Sequence, residues 1–265
     1  MTSLDQYYTN PKIAQGYVDE VLSRWKGKDV LFIEPSAGTG SFSNPLMQSG
    51  FDVRAIDIEP RADNIGKVDY LNSHDLFKTD HSSIVVLGNP PFGKNSSTAV
   101  RFFNHSALYA NEIAFILPRT FRKMSIQNRL HEKFHLVSDK DVQKGAFLLD
   151  GNPYDVPCAW QVWVRKPVNR AVTPIPCVNH LLVYTDQKDA SFAMRRVGFY
   201  AGRVIERGIK NLSQSTHYFM KDLKSDVIQV LRSINWTDIT KQTAGVRSLS
   251  KSEIAYRLNE VYDAS

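Results

Sequence analysis

Between residues 30 and 42 the chain passes from Val30-Leu31-Phe32-Ile33, a short apolar run, through Glu34-Pro35-Ser36-Ala37-Gly38-Thr39-Gly40 into Ser41-Phe42 and a segment able to start a helix. A strand that empties into a glycine turn and then a helix is the opening unit of a nucleotide-binding βα fold. Gly38 and Gly40 permit positive φ and let backbone approach a ligand, and Ser41 is placed to cap the helix that follows. The run lacks the Gly-Lys-Ser/Thr ending of a phosphate loop and the third glycine of the dinucleotide fingerprint, which argues against a nucleotide polyphosphate as ligand.

Similar units follow. Val53-Arg54-Ala55-Ile56-Asp57-Ile58-Glu59 reads as a second strand with Asp57 at its carboxyl end, where a ribose hydroxyl pair would be gripped, and with Glu59 as a helix-start or surface carboxylate. His74-Asp75-Leu76-Phe77 brings a third acidic position, Asp75, suited to accept from an adenine amino group with Leu76 and Phe77 as walls. Ser83 to Gly88 and Glu112 to Pro118 are buried strands, and Lys12 to Trp25 has the apolar spacing of an amphipathic helix. Ser96-Ser97-Thr98 offers caps for a further helix through Leu108. Alternating strands and helices predict a mostly parallel, doubly wound α/β sheet with ligands above the carboxyl ends of its strands.

One of those ends is chemically distinctive. Asn89-Pro90-Pro91-Phe92-Gly93 follows the Ser83–Gly88 run, and two prolines remove two donors and fix φ. The Asn89 amide oxygen and the Pro90 carbonyl then make two fixed acceptors suited to an amino group, with the flat face of Phe92 beside them for an extracted base. A plain loop is the alternative reading of this turn taken alone.

Taken in order, these residues resemble the class I S-adenosylmethionine-dependent adenine-N6 methyltransferases over roughly residues 5 to 165: Asp5-Gln6-Tyr7-Tyr8-Thr9-Asn10-Pro11, then Glu34 to Phe42, Asp57, Asp75 and Asn89-Pro90-Pro91-Phe92. The resemblance implies a Rossmann-like methyltransferase fold with a small carboxyl-terminal α+β extension, and S-adenosyl-L-methionine as cofactor. By position it implies cofactor contacts from Tyr8, Thr9, Glu34, Ser36, Gly38, Gly40, Asp57, Asp75 and Leu76, and catalytic roles for Asn89, Pro90 and Phe92. In such enzymes an aromatic residue stacks on the other face of the flipped base; Phe147 is the first candidate, with a core position for Phe147 or Tyr154 as the equal alternative. Motif order, with an extra segment after the catalytic turn, resembles the DNA enzymes. The Asn-Pro-Pro-Phe-Gly form also resembles a ribosomal-RNA family, so RNA stays open as substrate. A protein glutamine-N5 methyltransferase, which usually carries Tyr where Phe92 stands, and a catalytically silent nucleic-acid-binding protein are the remaining alternatives.

Charge bears on the partner. The net charge is +6, with 19 Lys/Arg against 18 Asp/Glu in residues 1–169 and 14 against 9 in residues 170–265. Excess positive charge beyond the catalytic part favours a polyanionic substrate, a nucleic acid. Arg119, Arg122 and Lys123, just past a strand end, are candidate phosphate contacts, or else the start of a solvated helix. The two cysteines, Cys158 and Cys177, are too few for a disulfide framework and too isolated for zinc, so no structural metal is expected. A polar beginning and the lack of any long apolar run predict a cytosolic protein with no membrane partner.

Pro167, Pro174 and Pro176 mark a boundary, giving residues 1–168 as catalytic domain and 169–265 as the substrate-recognition region. Within the latter, Phe192 to Val204 interleaves aromatic, glycine and arginine residues, which suits nucleic-acid contact or an ordinary hairpin with arginines facing water. Ser215 to Trp236 has helical spacing, and Ser250 with Glu253 forms a capping box for a final helix. Gly245 to Ser250 is a substrate-facing loop on this reading.

Overall fold

The computed structural model describes residues 7–149, 151–172, 180–243 and 245–263. Asp5, Gln6, Pro174, Pro176 and Cys177, invoked above, lie outside the described residues. The chain divides into two compact units, residues 1–121 with 126–172, and residues 122–125 with 173–265.

The first unit is built on a seven-stranded sheet. In chain order its elements are β1 (Tyr8–Thr9), α1 (Pro11–Trp25), β2 (Leu31–Glu34), α2 (Ser43–Gln48), β3 (Asp52–Asp57), β4 (Gly66–Lys67), β5 (Ile84–Gly88), α3 (Ser97–Ser106) and β6 (Glu112–Pro118). After a short turn, α4 (Met124–Gln127), come β7 (Phe134–Asp141), β8 (Phe147–Leu149), β9 (Asn152–Tyr154) and β10 (Cys158–Arg165). The strand order is β4-β3-β2-β5-β6-β10-β7, and β1, β8 and β9 form a separate small sheet. Strands β2 to β6 pair in parallel, whereas β10 runs antiparallel to both neighbours. Strand β10 lies one strand in from the edge, with β7 outside it.

Each strand's pleat sends alternate residues to opposite faces. Ile33, Val86, Ile113 and Phe115 pack with α3, while Phe32, Val85, Ala114 and Ile116 pack with α1 and α2. Both faces are therefore apolar and helix-covered, as a parallel sheet requires. The expected Rossmann-like, mostly parallel, doubly wound α/β fold is the one observed. Two polar side chains buried at the sheet are paired: Glu112 accepts from Arg24 at 2.7 Å and from the Trp25 indole at 3.1 Å, and Gln161 donates to Asp139 and accepts from Trp163.

Two expected caps are not caps. Ser41 donates to the carbonyl of Thr9 at 2.7 Å, because the turn carries it toward β1 before α2 begins. Ser96 takes a left-handed conformation, and its hydroxyl bonds that of Thr120 at 2.7 Å.

The second unit is α+β. Strands β11 (Leu182–Tyr184), β12 (Phe192–Arg195), β13 (Val204–Ile205) and β14 (His217–Asp222) form an antiparallel sheet in the order β11-β14-β12-β13. Helices α5 (Val227–Ser233), α6 (Thr237–Thr240) and α7 (Lys251–Tyr262) complete it. The helix predicted over 215–236 is corrected: its first part is β14, a central strand whose Phe219 and Met220 are buried, and only Val227–Ser233 is helical. Sheet pairing on both edges outweighs local spacing there. The Ser250–Glu253 capping box of α7 forms as expected, with the hydroxyl accepting from the Glu253 N–H at 3.2 Å. Among the described residues no helix is long and apolar enough to cross a membrane.

Candidate active site

A cavity of about 460 Å³ opens above the carboxyl ends of β2, β3 and β5, lined by the ends of those strands and the turns that follow them. Its position follows from topology: β2 is the strand from which the chain winds outward in both directions, and ligands collect at such a switch point.

The glycine turn is held by Asp57. One carboxylate oxygen accepts the Gly38 N–H and the other the Glu59 N–H, both at 2.8 Å. The side chain that ends β3 therefore sets the shape of the turn after β2, and Asp57 also lines the cavity. Ser36 ties the same turn to the next strand by donating to the Asn89 backbone carbonyl at 3.0 Å. Gly40 takes φ +83° within this turn but does not line the cavity; Tyr8, Thr9, Glu34, Ser36 and Gly38 do.

Glu34 ends β2 with only 1% of its surface exposed. It accepts the Ser43 N–H at 2.7 Å and so caps α2 from the strand end. Burial pushes its carboxyl up to about 8, against the pull of its hydrogen bonds from Ser43 and Phe42. With the folded value above the unfolded one, the stability conferred by the neutral carboxyl is complete below about pH 4.5 and disappears as pH climbs through about 8. Thermal melts of the unliganded protein should fall across that window, and Glu34→Gln should flatten the fall; an unchanged slope in the variant would assign it to other groups.

Asn89, just past β5, carries the least satisfied group of the site. Its Nδ2 donates to the carbonyl of Tyr7 at 3.0 Å, which decides which end of the amide is oxygen. The Oδ1 is buried without a protein donor, although Asn89 lines the cavity. An orphaned buried acceptor costs about 1–3 kcal/mol, so it points to a ligand that supplies a donor.

Several expected site residues stand elsewhere. Asp75 is exposed and pairs with Lys78 at 2.6 Å, which holds its carboxyl below the usual carboxylate range, and Leu76 packs against the α3-side core. Neither lines the cavity. Because β4 ends at Lys67, the residues emerging beside the cavity are Asp69 to Asn72. Asp69 accepts from the Leu71 N–H at 3.1 Å and the Asn72 amide at 2.7 Å. Its sequence signal was weak, an aspartate opening a turn after a strand of only two residues.

The aromatic expectations also shift. Phe147 is 1% exposed and pairs with β1, so it is core. It contacts Tyr7 edge-on, and Tyr7 in turn stacks on the half-exposed Tyr154 at 5.4 Å with ring planes 3° apart. Tyr7 lines the cavity together with Tyr8, Phe42, Tyr70 and Phe102, and of these Tyr7 is the ring backed by Tyr154. Pro90 is buried and Phe92 packs against the α1-side core, while Pro91 and Gly93 reach the lining.

The expected phosphate contacts are largely committed. Arg119 pairs with Asp141 at 3.1 Å. Arg122 and Lys123 group with the second unit, where Lys123 forms a nearly buried pair with Glu253 at 3.0 Å. A lysine neutralised in this way has little charge to offer a phosphate. Among the described residues, the lining sets the carboxylates Asp57, Glu59 and Asp69 against one cation, Arg101 of α3, while burial holds Glu34 neutral. Such a cavity suits a ligand carrying positive charge. Cys158 is buried, with its thiol pushed up to about 12 by burial, and among the described residues no cluster of acidic, His and Cys side chains is placed to hold a metal.

No protein-family profile and no curated protein matches the chain. Solved structures similar to it include a protein of Pyrococcus horikoshii provisionally named an RNA methyltransferase (14% identity over 61% of this chain and 87% of that one, TM-score 0.47). A second is a modification subunit of a provisionally assigned type I restriction enzyme from Vibrio vulnificus (15% identity, 60% of this chain but only 44% of that one, TM-score 0.44). A third is magnesium protoporphyrin IX methyltransferase of Synechocystis with S-adenosylmethionine bound (13% identity, 59% and 79%, TM-score 0.43). By its own strand order the larger unit is a Rossmann-like α/β domain, with its cavity where that topology reverses.

Proposed function

We propose that the larger unit binds S-adenosyl-L-methionine and methylates the exocyclic amino group of an adenine in nucleic acid, with DNA as the preferred substrate. The observation that carries the reading is the Asn89 Oδ1, a buried acceptor oriented by Tyr7 and lacking a donor.

The cavity fits the cofactor. About 460 Å³ accommodates a nucleoside with an amino-acid tail, the acidic lining favours a sulfonium cation, and Asp57 sits where a ribose diol would be held. Asp69 takes the role first assigned to Asp75, accepting from an adenine amino group, with Leu71 in place of Leu76. The cofactor supplies an electrophilic methyl group. Asn89 Oδ1 accepts a hydrogen of the target amine, which favours a pyramidal nitrogen and stabilises the positive charge that develops on it, while the buried Pro90 stands off the lining; S-adenosylhomocysteine would leave and the amine's displaced proton would pass to water. Tyr7, supported by Tyr154, offers the ring face for the base, and no dedicated strong base is needed, because positioning does most of the work.

Labelled methyl transfer to duplex DNA, single-stranded DNA, ribosomal RNA and bulk protein, followed by nucleoside analysis, tests the reading. N6-methyldeoxyadenosine supports it; label only in RNA would move the substrate to the RNA alternative, and label only in protein would overturn the adenine assignment. Calorimetry with S-adenosylmethionine separates the two acidic candidates: Asp69→Ala should weaken binding by about tenfold, the loss of one charge-assisted hydrogen bond, and Asp75→Ala should leave it unchanged.

A further inference from the structure

In the second unit, the two aromatic residues at the turn after β12 break the pattern of the rest of the chain. Phe199 is 72% exposed and Tyr200 59%, whereas most large aromatics are buried. They are adjacent, with rings 5.2 Å apart at 88°, so the two faces point in different directions. The turn is built to hold them out. Gly202 at φ +101° brings its backbone against Trp236, where a Cβ would lie 2.5 Å from the indole Cγ, so only glycine closes the turn on that side. Opposite, the Gly198 N–H donates to the Arg247 carbonyl at 2.9 Å, and Val197 bridges to Ser248. The 245–248 loop therefore buttresses the turn and lays the Arg247 guanidinium 4.8 Å from the centre of the Phe199 ring.

Along the chain, the charge on either side of the turn is mostly positive, in a stretch closed at its ends by Asp189 and Asp222. From Ala190 to Lys221 the chain carries six cations, Arg195, Arg196, Arg203, Arg207, Lys210 and Lys221, against one carboxylate, Glu206, which pairs with Arg232 of α5. Arg203, Arg207 and Lys210 are exposed.

We infer that the Phe199-Tyr200 turn, with Arg247 and the cations around it, is a docking surface for a single-stranded or locally unpaired nucleic-acid strand, in which the cations meet phosphates and the exposed rings stack on bases. The inference rests on the proposed function for its choice of partner. Exposed rings add what charge alone would not: a π-face that every base can use, available only where bases are unpaired. A guanidinium already parked against one ring is the second half of the same device.

Fluorescence anisotropy of the full chain with a labelled single-stranded oligodeoxynucleotide, the RNA of the same sequence and the DNA duplex tests it, alongside calorimetry with S-adenosylmethionine and sedimentation with vesicles of phosphatidylcholine and phosphatidylserine. The double variant Phe199→Ala/Tyr200→Ala alters only exposed side chains; it should bind both single strands roughly 5- to 100-fold more weakly, with the salt dependence nearly kept. Arg247→Ala should shallow the salt dependence by about one phosphate contact. Wild-type affinity in the double variant, no binding of any nucleic acid by the wild type, or a loss confined to vesicles would each overturn the inference. The single-strand and RNA arms tell the two strand chemistries apart. The cofactor titration keeps the readings separate: strand binding through the turn without cofactor binding would leave the docking surface standing and remove the methyltransferase assignment, while cofactor binding with strand affinity indifferent to the turn would do the reverse.

Discussion

Asn89→Ala is expected to reduce methyl transfer by at least about 100- to 1000-fold, the usual loss when one oriented acceptor or donor is taken from a transition state. Cofactor affinity should change by no more than about threefold, since ground-state binding does not depend on the amide oxygen. The reason lies in the geometry around one side chain. The Asn89 Nδ2 is held by the Tyr7 carbonyl, so the oxygen is fixed before substrate arrives, at a cost already met by the fold. Asn89→Asp should do little better than alanine: it keeps an acceptor but sets a carboxylate against the Tyr7 carbonyl, and the amide's orientation is lost. Single-turnover transfer measured beside cofactor calorimetry checks both. Full transfer in Asn89→Ala would remove the amide from the chemistry and leave its orphaned oxygen without a function.

Asp57→Ala should show the opposite split. It removes both acceptors that hold the glycine turn, from the Gly38 and Glu59 N–H groups, as well as a carboxylate that lines the cavity. Loss of charge-assisted bonds on this scale should weaken S-adenosylmethionine by roughly 10- to 100-fold and lower the melting temperature of the unliganded protein by several degrees. Turnover at saturating cofactor should fall much less. The position of Ser36 offers a further check, because its hydrogen bond to the Asn89 carbonyl couples the two turns: if cofactor saturation does not restore turnover in Asp57→Ala, the glycine turn also places Asn89.

The larger unit was legible in the chain because its signals are local. A buried parallel strand must be a continuous apolar run, and the runs of β2, β3 and β5 end in residues that line the cavity, so Glu34, Asp57 and Asn89 could be placed at strand ends from order alone. The capping box of α7 is equally local, contained in four residues. Asp69 was missed for the corresponding reason. Its strand, β4, is two residues long, and what makes it a strand is pairing with β3, a contact between distant parts of the chain. The more conspicuous His-Asp-Leu-Phe segment lies one turn further on, with its aspartate in water.

Side chains whose roles depend on partners far along the chain were decided only by tertiary structure. Phe147 became core because β8 pairs with β1, and the same pairing brought Tyr7 to the cavity wall. Lys123 was taken out of service by Glu253, 130 residues away. Residues 217–222 read as part of a helix until β11 and β12 claimed both edges of β14. The sequence by itself determined which backbone runs are buried and which polar residues stand at their ends, since burial and turn chemistry are properties of neighbouring residues. Which acceptor of the site lacks a donor, which cations are paired and which aromatic rings face water were decided by contacts between segments distant in sequence, and those are the contacts that turn a strand end into a site.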